Sequence, residues 1–315
     1  MQISRRSTAL AVAVVALVGC GGPRPSGTHP PDGRIAFVVT TGPGAEVRIT
    51  NADGTGQTRL ASGAGRGLSW SPDGSRIVFS SNPGISVMDA DGTHLTQLAT
   101  VGESPAWSPD GHRIAFSVRP NEGISPGDSP DDKSISALKE SDIEVMNVDG
   151  SGITRLTSGW GDSAPAWLPD GQSVAFAREP LSDRTESGGC QGICAIGLDG
   201  SGLRSLGDLG DGPAWAPDGR TLAFVTSSGS SSLITLVNAD GSGRRSLTPP
   251  LTGEIDFPAW SPDGRRIAFA YRRGVTDVFG TTTYGKSAIY VIDVDGTNLI
   301  RLSNDADSIQ GLSWR

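Results

Sequence analysis

Six runs along the chain share one order of apolar and polar positions. RIAFVV from Arg34, RIVFSS from Arg76, RIAFSV from Arg113, SVAFAR from Ser173, TLAFVT from Thr221 and RIAFAY from Arg266 each follow a Pro-Asp-Gly. In five of them a Trp stands ahead of the turn, as in PAWSPDGRRIAFA from Pro258. A second short apolar run, such as AIYVI from Ala288, leads into an Asp-Gly pair and an alternating segment ending in Leu. That motif reads NADGTGQTRL at Asn51, DADGTHLTQL at Asp89, NVDGSGITRL at Asn147, GLDGSGLRSL at Gly197, NADGSGRRSL at Asn238 and DVDGTNLIRL at Asp293. Short apolar runs bounded by Gly, Pro and Asp are strands joined by tight turns. One unit is therefore strand, PDG turn, strand, variable segment, strand, DG turn, strand. Four antiparallel strands recurring at about 40 residues make a propeller blade.

The turn residues fit this order. Pro fixes φ at the first corner, Asp bonds its own backbone, and Gly accepts positive φ. Pro-Asp-Gly turns at Asp32, Asp73, Asp110, Asp170, Asp218 and Asp263 predict six blades, as do Trp70, Trp107, Trp167, Trp215, Trp260 and Trp314. The Trp series reads as core packing. The first copy lacks its Trp, and the last, LSW at Leu312, stops before its turn. Residues 311–314 are expected to supply the inner strand beside residues 34–39. That pairing closes the ring and leaves no open sheet edge.

PAWSPDGRRIAFA followed by a β-run and VDGTNLIRLS is similar to the TolB-type propeller repeat, which also occurs in propellers of prolyl-oligopeptidase-like proteins. The resemblance covers about residues 31–315. It implies an all-β, six-bladed propeller of four antiparallel strands per blade. In the TolB family an additional α/β domain precedes the propeller and contacts other Tol proteins.

Ahead of the repeats, Arg5 and Arg6 precede an apolar run at residues 8–18, too short to span a bilayer. Leu17-Val18-Gly19-Cys20 resembles the bacterial lipobox, which implies a lipid on the Cys20 thiol; an ordinary secreted protein with an incidental Cys is the alternative. Three parts are expected: a signal peptide at residues 1–20, a tether at 21–31 and the propeller at 32–315. The protein would be extracytoplasmic and lipid-anchored to a bacterial membrane. The formal charge of −8 becomes −10 when Arg5 and Arg6 leave with the signal. An acidic chain repels phosphate backbones, which argues against a nucleic-acid partner.

Cys190 and Cys194 in CQGIC are expected to form a local disulfide in an oxidising compartment, because C-x-x-x-C without a nearby His is poor zinc spacing. The D-x-D-G turns lack the further oxygen ligands and bidentate Glu of a calcium loop. No metal or cofactor is expected. With His29, His94 and His112 as the only histidines, no Ser-His-Asp arrangement can be nominated.

Length varies where function can sit. From a DG-turn Asp to the next PDG Asp the spacing is 19–23 residues, whereas from a PDG Asp to its DG-turn Asp it is 18–39. The variable segments between second and third strands share one face with the blade-to-blade connections, and both turn types share the other. Long loops on a regular scaffold are the expected functional surface. Insertions fall at residues 120–141, 178–190 and 272–286. Candidate binding residues there are Arg272, Arg273, Phe279 and Tyr284, together with Trp160, which lies outside the Trp series. Just before the inner strands come Glu103, Asp162, Asp211 and Asp256, with Arg66 and Gln310 as counterparts, expected to ring the channel mouth. Asp305 and Asp307 would extend that field. An acidic mouth attracts a cation or a basic peptide; capping of local turns is the plainer reading. The expected function is a monomeric scaffold or sensor that binds an envelope protein or peptide. The alternative is a carbohydrate- or small-ligand-binding, or hydrolytic, propeller using the acidic mouth.

Overall fold

The apolar runs are extended in the computed structural model, which describes residues 33–42, 44–119, 141–158, 161–179, 190–228, 231–248, 251–276, 282–304, 306 and 308–315. Twenty-four strands and no helix are present among the described residues. The first blade contains β1 (Arg34–Thr41), β2 (Gly44–Asn51) and β3 (Thr58–Ser62). The second contains β4 (Ala64–Trp70), β5 (Arg76–Ser81), β6 (Ile85–Asp89) and β7 (Thr96–Ala99). The third contains β8 (Glu103–Trp107), β9 (Arg113–Val118), β10 (Asp142–Asn147) and β11 (Thr154–Arg155). The fourth contains β12 (Asp162–Trp167), β13 (Ser173–Arg178), β14 (Gly192–Gly197) and β15 (Arg204–Gly207). The fifth contains β16 (Asp211–Trp215), β17 (Thr221–Ser228), β18 (Ser231–Asn238) and β19 (Arg245–Ser246). The sixth contains β20 (Leu251–Trp260), β21 (Arg266–Thr276), β22 (Thr282–Asp293) and β23 (Ile300–Arg301).

The remaining strand, β24 (Ser308–Trp314), pairs with β1 and completes the first blade in the order β24-β1-β2-β3. Ile35 faces Trp314 and Phe37 faces Leu312 across that ladder. Each inner strand (β4, β8, β12, β16, β20 and β24) touches the inner strands of both neighbouring blades, so the six form a closed ring.

The core is partitioned by this ring. Among the described residues six apolar clusters are present, each drawing on two adjacent blades. The Phe of each IAF-type run, Phe37, Phe79, Phe116, Phe176, Phe224 and Phe269, is fully buried and packs toward the preceding blade. The Trp of each inner strand joins the same cluster. The indoles of Trp167 and Trp260 donate to the Ala106 and Ala214 carbonyls of the blade before, both at 3.0 Å. Burying one such ring removes about 150–250 Å² from water, roughly 4–6 kcal/mol before entropy is subtracted.

Among the described residues, the Asp of each PDG and DG turn serves its own turn. Asp73 accepts from the Ser71 hydroxyl at 2.6 Å and the Ser75 amide at 3.0 Å; Asp53 accepts the amide and hydroxyl of Thr55, and Asp240 those of Ser242. Hydrogen bonds from the flanking hydroxyls hold the carboxyls of Asp73, Asp91, Asp149, Asp199, Asp240 and Asp295 below the usual range.

Two features depart from the regular blade. In the segment at residues 272–286, expected as a loop insertion, the described residues 272–276 and 282–286 are strand: β21 and β22 pair antiparallel there, with Gly274 opposite Tyr284 and Val275 opposite Thr283. Its Val, Thr and Tyr residues suit a pleated surface, which spacing alone did not weigh. Blades five and six are also joined on the loop face, where Ser231 and Ser232 of β18 pair with Gly253 and Leu251 of β20. Cys190 and Cys194 form a disulfide, with Cα atoms 6.0 Å apart and both side chains buried.

Candidate functional site: the channel mouth

The inner strands bend before they reach their Trp. All six ladders shift register there, at Ala64/Leu68, Glu103/Ala106, Ser163/Ala166, Asp211/Ala214 and Asp256/Ala259 and, opposite β24, at Val38/Val39. The residue three before the Trp takes positive φ in five strands: Gly67 (92°), Ser104 (52°), Ala164 (50°), Gly212 (59°) and Phe257 (54°). Glycine is required at Gly67, where a Cβ would lie 2.6 Å from the Ser104 Cα. Phe257 is the outlier, since a bulky residue at positive φ costs roughly 1–2 kcal/mol.

The bulge turns the residue four before the Trp toward the channel axis. Arg66, Glu103, Asp211 and Asp256 occupy that position and line a cavity of about 720 Å³. Gln310 occupies it in β24 and lines an adjoining cavity of about 740 Å³, which shares Arg66, Asp211, Asp256 and Phe257 with the first. Asp162 does not join them. It stands five residues before Trp167, and its place at the cavity is taken by Ser163. Its carboxylate is fully buried and receives two bonds from Arg178, at 2.7 and 2.8 Å. The pair sits directly cross-strand, with Asp162 opposite Arg178 in the β12–β13 ladder. Asp162 is thus a structural ion-pair partner, and the reason is its one-residue offset from the bulge.

The mouth is of mixed charge rather than simply acidic. Arg66 reaches from the second blade to Asp211 in the fifth, at 3.7 Å, and its guanidinium lies 5.6 Å from the centre of the Phe257 ring in the sixth. Arg119 approaches Glu103 at 3.9 Å, and Arg272 bonds Glu254. Burial raises the Asp256 carboxyl pKa, and Arg66 pulls it back. Arg119, Glu179 and Arg272 went unnamed as mouth residues from sequence, yet each lies three residues after a motif Phe (Phe116, Phe176, Phe269). Counting three from the Phe, as one counts four back from the Trp, finds them.

On the sixth-blade hairpin, the Arg272 guanidinium stacks 5.0 Å from the centre of the Tyr284 ring. The Tyr284 hydroxyl pKa is raised by desolvation and by its neighbour Glu254. Arg273 is exposed beside them. Cys20, Trp160, Phe279, Asp305 and Asp307 lie outside the described residues. His94 pairs with Asp89 at 2.7 Å on an exposed turn, and His112 occupies a PDG turn, both away from the mouth. Among the described residues, no group of three or more His, Cys, Asp and Glu is arranged to hold a metal ion. An open recess with paired charges and aromatic faces is suited to holding polar side chains.

The description "TolB beta propeller domain" fits a family model that matches residues 119–314. The chain belongs to the TolB beta-propeller family. Short segments are similar to curated TolB proteins of the Tol-Pal system: 47% identity over 36 residues to that of Rhizorhabdus wittichii and 50% over 36 to that of Zymomonas mobilis. Each match spans 11% of this chain and 8% of the relative. Among solved structures, TolB from Acinetobacter baumannii superposes with a TM-score of 0.66 at 19% identity, over 90% of this chain and 66% of that one. A putative TolB from Agrobacterium tumefaciens gives 0.62 at 20% identity, over 88% of this chain and 90% of that one. The oligogalacturonate lyase of Vibrio parahaemolyticus gives 0.54 at 14%, over 82% and 71%. At these identities the structural likeness shows the TolB-type fold and no more.

Proposed function

We propose that the chain is a cell-envelope lipoprotein whose propeller binds a protein or peptide through its loop face, as a scaffold or sensor. The observation that carries this is the pair of adjoining cavities at the channel mouth, which share Arg66, Asp211, Asp256 and Phe257 and reach Arg272 on the hairpin. A concave site with aromatic faces and a few placed charges suits the side chains of an extended peptide. The relatives named as Tol-Pal system proteins support an envelope setting. The lipobox-like segment ending in Cys20 supports an anchor at the membrane.

The test is affinity capture from detergent-solubilised cell envelope, with the full-length chain as bait beside an Arg272→Ala/Tyr284→Ala variant. A partner held by the wild type and lost from the variant, with Tm unchanged, is the expected result. A partner held equally by both would remove the hairpin from the binding surface. A Cys20→Ser chain is expected to move from the membrane fraction to the soluble fraction.

A further inference from the structure

Arg66 is placed unusually for a residue of a rigid inner strand. Its backbone is fixed, because its carbonyl accepts the Ser80 hydroxyl. Its side chain crosses the mouth, with the guanidinium near the Asp211 carboxylate and the Phe257 ring, and it also acts electrostatically on Asp256. These three partners belong to two blades on the far side of the channel. A carboxylate and an aromatic face meet a single guanidinium, and a second carboxylate, Asp256, lines the same two cavities, the composition of a cage for an organic cation. The cage also faces the two cavities whose shared lining it supplies.

The contact is weakly held. The 3.7 Å ion pair is long, and the Arg66 and Asp211 side chains are 46% and 51% exposed. An exposed pair of this kind contributes little and exchanges readily with solvent. By contrast, Arg178 is locked to Asp162 by two short bonds in a buried setting. Arg178 is therefore a structural cation, whereas Arg66 can leave its partner.

We propose that the Asp211–Asp256–Phe257 cage is a receptor for a guanidinium- or ammonium-bearing side chain of a protein partner, and that Arg66 is the internal occupant which that side chain displaces. This rests on the peptide-binding reading above and adds the chemistry of the partner: a basic residue that enters the mouth. If the cage is open about one tenth of the time, an incoming cation binds about tenfold more weakly than it would to an empty cage. Removing Arg66 should restore that factor.

The probe is N-acetyl-arginine amide, titrated into the full-length chain in detergent and followed by the amide NMR shifts of Asp211 and Phe257. N-acetyl-citrulline amide, of nearly the same shape without the charge, is the control. Arg66→Ala is expected to bind the arginine probe about tenfold more tightly than wild type, while Asp211→Asn in the same background abolishes the gain. Arg66→Met, which keeps an apolar stem over Phe257, is run in parallel so that a folding failure of the Ala variant does not decide the result. Equal affinity of wild type and the Arg66 variants, or equal shifts from the citrulline control, would overturn the proposal. Because no natural partner is needed, this outcome is separate from the capture experiment. A partner lost with Arg272 and Tyr284 but indifferent to Arg66 would leave the loop-face reading standing and remove the cage.

Discussion

The two faces of the propeller are built from the same repeat and treat it in opposite ways. On the turn face, eleven Asp carboxylates among the described residues each accept the amide two residues ahead, at 2.8–3.0 Å. The local backbone dictates the residue, so each blade gives one answer. On the mouth face, the position four before the Trp carries Arg66, Glu103, Ser163, Asp211, Asp256 and Gln310 in successive blades. The backbone there is nearly as regular, because the same bulge recurs, but it leaves the side chain open to the channel. A repeated residue marks a demand of the fold, and a varied one at an equivalent position marks freedom from it. Arg66, Asp211 and Asp256 are therefore better candidates for function than any turn Asp.

The comparison can be broken most directly at the packing that all blades share. Phe224→Ala should destabilise the protein by about 3–5 kcal/mol, since the ring is fully buried between the fourth and fifth blades. Urea unfolding would measure it, and a loss under about 1 kcal/mol would mean that the blades do not depend on this interlock. Next in size is the contrast between Asp162 and Asp211. Asp162→Asn removes the charge that answers the buried Arg178 and should cost about 3 kcal/mol, whereas Asp211→Asn on the open mouth should stay within about 0.5 kcal/mol. Equal losses would show that the buried pair and the mouth carboxylate are not different in kind.

The smallest effect concerns Asp256. Burial raises its folded-state pKa above the ordinary 3.8, so the folded chain holds that proton more tightly than the unfolded chain does. That stabilisation is complete below the unfolded value and is lost as pH rises through the folded one. At neutral pH the wild type therefore carries a charge that burial disfavours, and Asp256→Asn is expected to raise Tm slightly. The gain should shrink as the pH is lowered toward 4. A thermal melt series across pH would check it, and a lower Tm for the variant at pH 7 would show that Arg66 outweighs burial.

The hairpin shows where spacing misleads. Residues 272–286 register as extra length between two motifs, and extra length by itself predicts a loop. Strand formation there depends on Val275 facing Thr283 and on Gly274 facing Tyr284 across the ladder. Those partners are only eight and ten positions apart, and a count between motifs does not show that they pair. Asp162 shows a different limit. A shift of one residue against a bulge moves a side chain from the channel into the blade, and a count from the start of the strand does not register the bulge. Counting from Trp167 does, because the indole is fixed in the core.

The six repeats, the turn chemistry at each Asp-Gly, the Trp and Phe positions of the core and the splitting of one blade between residues 34–39 and 311–314 are legible in the chain alone. These follow from local backbone preference and apolar periodicity, which are written in adjacent residues. Which charges meet is set by the folded chain. Arg66 and Asp211 are 145 positions apart in the chain yet 3.7 Å apart across the mouth. Arg178 finds Asp162 only through the β12–β13 ladder. Such pairings arise from closure of the ring, which sets the second and fifth blades facing each other over a common axis.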